Sequence, residues 1–122
     1  MSQKSDARVL RWSELPKDQP MPLIERRHII GSHLMISQVF LHKGFSVATH
    51  QHANEQMAWV VSGRVRFGIG AEGSTDRREV TLVAGEVLHL PPGVPHSAEA
   101  LEDSQVTDLF SPPSEKTGVD RA

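Results

Sequence analysis

Gly44-Phe45-Ser46-Val47-Ala48-Thr49-His50-Gln51-His52-Ala53-Asn54-Glu55-Gln56, followed after six further residues by Gly63, is the stretch on which the fold turns. A second stretch answers it: Gly85, five residues, Pro91-Pro92-Gly93, two residues and His96. His50 and His52 are two apart, so on a strand both imidazoles leave the same face. Such a pair is a clamp whose ring nitrogens bind an ion at roughly 2.0–2.1 Å. Ala53-Asn54-Glu55 is long enough to turn, which brings Gln56 back alongside with its side-chain carbonyl as a third ligand. Glu55 is the rival if the turn is one residue tighter. His96, behind a proline-stiffened turn, closes the set from a distant strand. Either stretch alone reads as an ordinary loop with surface histidines. Both together, in order and with their glycines, read as one metal site of His50, His52, Gln56 and His96 with one or two positions left open.

Outward from these stretches the texture is uniform. Short runs that alternate apolar with polar residues predict strands at Leu34–Leu41, Phe45–His50, Gln56–Val61, Arg64–Ile69, Arg77–Val83, Val87–Leu90, His96–Ala100 and Gln105–Phe110. They are separated by Gly, Pro and Asp/Asn turns about every ten residues, and no segment of helical length keeps a 3.6-residue period. The fold class is all-β, a barrel or sandwich with its core over about 34–110. Residues 1–22, with Pro16, Pro20 and Pro22, read as an extended N-terminal arm anchored by Trp12 and Leu15. Residues 111–122 read as a short mobile tail.

The chain of 122 residues is sized for a single domain. A formal net charge of −2 gives no electrostatic case for nucleic acid or an anionic membrane. No run approaches the ~20 apolar residues of a membrane span, and the polar N-terminus leads into no apolar run of a secretory signal. With no cysteine, every thiolate site is excluded. A metal must therefore use imidazole, carboxylate or amide, and the cytoplasm is the expected compartment.

The two stretches resemble the paired signature motifs of the cupin superfamily, Gly-x5-His-x-His-x3-(Glu/Gln)-x6-Gly and Gly-x5-Pro-x-Gly-x2-His. Gln56 stands where Glu is commoner and Ala100 where Asn is frequent. The resemblance implies a jelly-roll β-barrel, one divalent transition metal (Mn, Fe, Ni, Cu or Zn) inside it, and a homodimer. Residues 96–113 are further similar to a group of small single-domain cupins that includes the pectin and alginate degradation enzymes opening unsaturated uronates. That group carries Asp-x-Phe-Ser-Pro-x-Arg on its last strand. Asp108, Phe110, Ser111 and Pro112 match, while the arginine position holds Ser114, which cannot clamp a carboxylate bidentately. Arg64 or Arg66 substitutes if either points inward.

Three neutral imidazoles and a neutral amide leave an ion's double charge uncompensated, which suits Lewis-acid chemistry on an anionic substrate. The leading expectation is thus a metalloenzyme acting on a sugar-derived or other small organic acid. Asp108 is the candidate general acid–base, because Val106, Asp108 and Phe110 share one strand face and a desolvated carboxyl has a raised pKa. Phe110 and Arg66 are candidate substrate-lining residues. Oxygen-dependent cleavage at Fe(II) and a non-catalytic ligand-binding role are the alternatives. Trp59 reads as core or dimer interface, His28, His33 and His42 as exposed, His89 as facing either way, and Arg77-Arg78 as a solvated hairpin face.

Overall fold

The computed structural model describes residues 6–113. Nine strands run β1 Ile24–Ile30, β2 Met35–Leu41, β3 Ser46–His50, β4 Glu55–Ser62, β5 Arg64–Ile69, β6 Arg78–Val83, β7 Val87–Leu90, β8 His96–Ala100 and β9 Ser104–Ser111. They form two antiparallel sheets, β1-β2-β9-β4-β7 and β3-β8-β5-β6, the jelly-roll arrangement. Every pairing is antiparallel, and chain neighbours are joined by short turns. Among the described residues, no helix is long and apolar enough to cross a membrane.

Inward positions follow the period-2 rule closely. In β2, Met35, Ser37, Val39 and Leu41 are buried and the residues between them are half-covered. Facing them from the second sheet are Val47, Val65, Phe67, Leu82 and Ala100, which with Ile24, Phe45, Ala58, Val60 and Val106 make the core. Gly63 turns β4 into β5 at φ +91°, and a side chain there would collide with Ser104 and the Asp103 carbonyl.

Several expectations need correction. β1 was not expected, because Arg26 and His28 occupy inward positions and break the apolar alternation that would have marked it. The core therefore begins at Ile24 rather than Leu34. The arm carries a short 3-10 turn at Trp12–Glu14 and is fixed to β1 by an isolated bridge between Asp18 and Arg26. Their backbone N–H groups donate to each other's carbonyls at 2.9 Å in both directions. Of the expected tail, Ser111 ends β9 and Asn54 donates to the Pro112 carbonyl. The remainder, including Ser114, lies outside the described residues.

His28 is not exposed: its Nδ1 meets the Ser37 hydroxyl at 2.7 Å and its Nε2 lies 3.4 Å from Asp18. Arg77 is not solvated either. It donates to the Gly70 carbonyl at 2.5 Å and to Ser97 Oγ at 2.9 Å, tucked against Gly68, whose missing side chain makes the room. Trp59 points outward and is 45% exposed, so it is not core.

Candidate metal centre

Strand pairing brings the four predicted ligands together. β3 and β8 place His50 opposite His96, while β4 and β9 place Gln56 opposite Phe110 on the facing sheet. The clamp forms by a route other than the one expected. Strict alternation from Val47 would turn His50 outward, but an irregularity in the β3–β8 register lets Val47 and His50 both point inward. β3 ends at His50, so His52 lies beyond the strand. It is aimed instead by the turn, where the Gly93 N–H donates to the His52 carbonyl at 2.9 Å. That bond stitches the Pro-Pro-Gly turn to the His-x-His segment. Gly93 makes the turn at φ +82°, which few other residues tolerate.

Each ring is then locked by a backbone carbonyl. Nδ1 of His50 donates to Ala48 O at 2.9 Å, Nδ1 of His52 to Asn54 O at 3.0 Å, and Nδ1 of His96 to Val94 O at 2.9 Å. With the proton on Nδ1, each Nε2 presents a lone pair, the usual outer support of metal-binding histidine. The three histidines offer ligand atoms that lie within 4.8 Å of one another. Nε2 of His50, His52 and His96 and Oε1 of Gln56 are all buried without a hydrogen-bond partner in the protein. Buried polar atoms are otherwise almost always paired. The three ring nitrogens converge and Gln56 lines the same cavity, an arrangement that fits a cation.

Gln56 is oriented by Asp108, to which its Nε2 donates at 3.0 Å, and this turns Oε1 toward the histidines. Burial pushes the Asp108 carboxyl up to about 6, against the Gln56 hydrogen bond and the Arg26 charge, which both lower it. Burial likewise pushes His96 down to about 4 and lowers His52, which keeps both rings neutral and able to ligate at neutral pH.

The remaining candidates separate. Phe110 is buried and stands edge-on to His52 at 6.0 Å between centroids, so it backs a ligand rather than lining the cavity. Arg66 points away from the cavity and pairs with Glu99 at 2.6 Å on the outer face of its sheet; Arg64 pairs loosely with Glu102. Neither substitutes for the missing clamp. Glu55 is no rival ligand, since it pairs outward with His89 at 2.6 Å.

The inward-facing arginine is Arg26, which the alternation argument missed because its strand was missed. It is 4% exposed and holds Asp18 bidentately, Nε to Oδ1 and Nη2 to Oδ2 both at 3.0 Å. A polar line thus crosses the inner wall of the larger sheet, from Asp18 and Arg26 through His28 and Ser37 to Asp108. Ser37 pairs with His28 on one side and with Asp108 on the other in the strand register.

A site of this kind on the inner wall of two facing antiparallel sheets defines a small jelly-roll protein whose centre suits a metal ion. The chain belongs to the cupin family: the cupin domain model matches residues 37–110. It is similar to KdgF from Halomonas sp., with 28% identity, coverage of 93% of this chain and 100% of that one, and a TM-score of 0.80. An RmlC-like cupin from Shewanella frigidimarina shares the fold at 21% identity, covering 95% and 100% of the two chains with a TM-score of 0.79. An uncharacterized protein of Streptomyces coelicolor, SCO3923, is 36% identical over 75 residues, 60% of this chain and 65% of that protein's length. The match therefore spans just under two thirds of that relative.

Proposed function

We propose that the protein is a metal-dependent enzyme that carries out acid–base chemistry on a small organic acid, with a sugar-derived acid such as an unsaturated uronate as the first substrate class to test. The observation that carries this reading is the convergence of the unpartnered Nε2 atoms of His50, His52 and His96 with Oε1 of Gln56, beside a desolvated carboxyl on Asp108. A divalent ion there supplies Lewis acidity toward a ligand oxygen in an uncharged ligand set. Asp108 takes or gives the proton: its raised pKa sits close to working pH, where a group is useful in both directions. Gln56 ties the two functions together, since one end of its amide faces the histidines while the other donates to Asp108. The apolar walls around them exclude water from that proton transfer.

The resemblance of the Asp108–Pro112 segment to the uronate-opening cupins and the 28% identity with KdgF support this reading. The test is turnover of an unsaturated uronate by metal-loaded protein, followed as loss of its double-bond absorbance. Asp108→Ala should retain metal and lose at least about 100-fold in rate. An Asp108→Ala variant as active as the wild type removes the mechanism. We also propose that the protein forms a homodimer through the outer face of the larger sheet, where Met57, Trp59, Val61 and Val87 stand exposed together.

A further inference from the structure

The space behind the metal centre is chemically lopsided. Register places Gln56 and Phe110 in one row across the larger sheet, and Asp108 with Ala58 in the next. Val39 with Val106 and then Leu41 with Ser104 follow deeper in. On the opposite sheet His96 is followed inward by Ala98 and Ala100, which pair with Phe67 and Val65. A cavity of about 40 Å³ opens along this direction. Among its lining residues, polar side chains come only from His50, Gln56, His96 and Asp108, all at one end. Ile24, Val39, Leu41, Phe45, Val65 and Val106 line the rest.

We propose that this cavity selects a small carboxylic acid bearing a short unbranched aliphatic tail, with the acid at the metal end and the tail among Val39, Val106 and Val65. The proposal rests on the organic-acid reading above but replaces its uronate class with a smaller acid, so turnover of an unsaturated uronate counts against it. Polyhydroxylated rings are disfavoured twice over. No polar group deep in the cavity pairs with a hydroxyl, and burying an unpaired hydroxyl costs more than its contacts return. The void is also far smaller than the ~150 Å³ apolar cavity that admits benzene. It suits a tail of about three carbons, since each small group needs roughly 10–15 Å³ of a cavity measured in this way. An unfilled apolar void weakens a core, and a tail of this kind removes that cost on binding.

The test is a chain-length series on zinc-loaded protein, titrating acetate, propionate, butyrate, pentanoate and galacturonate by calorimetry and by methyl shifts of Val39 and Val106. Affinity should rise about fourfold per methylene, so butyrate exceeds acetate by about 15-fold. The gain should stop at pentanoate, and galacturonate should bind no better than acetate. Val39→Leu, which adds one methylene to the wall, should move that stopping point one carbon shorter. Ala98→Val should do the same from the opposite sheet, so that a failure of either variant to fold leaves the other decisive. A flat series with measurable binding, or galacturonate ahead of butyrate, overturns the tail proposal and leaves the organic-acid reading standing. Metal-loaded protein that binds none of these acids overturns both.

Discussion

The candidate set His50, His52, Gln56 and His96 stood out in the sequence because a metal site would fix residue type and spacing together. What spacing does not reveal is how each side chain is aimed. His50 depends on an irregular register in β3, His52 on a bond from Gly93, and Gln56 on Asp108. Phe110 and Arg66 were misplaced for the complementary reason: an alternating strand names two faces without saying which neighbour each side chain meets. Two predictions belong to single residues. Gln56→Glu places a carboxylate on the ion and should raise metal affinity about tenfold, read by competition with a chelator. The second concerns pH. Asp108, raised to about 6 from an ordinary 3.8, loses its favourable protonated burial as pH rises through that interval, so its contribution to stability falls. His96, lowered to about 4 from 6.5, binds its proton more weakly when folded, so its contribution rises with pH over about 4 to 6.5. The two slopes oppose each other in the metal-free protein. Asp108→Asn should unmask the second, with urea stability rising by up to on the order of 3 kcal/mol between pH 4 and 6.5. Parallel profiles for wild type and variant contradict this.

At the scale of elements, eight strands were readable from alternation and turn residues, with ends displaced by a residue or so where a flanking Ser or Glu joins the ladder. β1 was not, and its failure is physical. Ile24-Glu25-Arg26-Arg27-His28 looks polar because two of its inward positions hold charge-bearing groups satisfied by Asp18, eight residues before Arg26. Alternation of apolar and polar residues does not reveal such a pairing. Burial alone would push the Asp18 carboxyl up, yet Arg26, by hydrogen bond and charge, together with His28, leaves it lowered overall. Since Arg26 is almost fully buried, deleting its partner strands a cation inside the fold. Asp18→Ala should therefore cost about 2 kcal/mol in urea unfolding, discounted for the exposure of Asp18 itself. It should also raise hydrogen exchange at the Arg26 amide, which the bridge protects. A change below a few tenths of a kcal/mol would mean that the arm contributes nothing to the sheet edge.

For the whole molecule, the all-β class followed from turn spacing and the family from the two motif stretches, while the layout of the interior needed the register. Only the facing of the sheets shows that the centre is polar at one end and aliphatic behind it. The outer face is equally lopsided: Met57, Trp59 and Val61 alternate along β4 with buried Ala58 and Val60. Such an exposed apolar strip is what the proposed dimer would cover. Trp59→Glu should convert a dimer into a folded monomer in sedimentation experiments, and a wild type that is already monomeric at high concentration rules the interface out. Elemental analysis of protein prepared with ample metal should find about one divalent transition metal per chain, and the His50→Ala/His52→Ala double variant should fold with native circular dichroism yet retain none. A wild type without stoichiometric metal under those conditions, or a double variant that keeps it, contradicts the central claim.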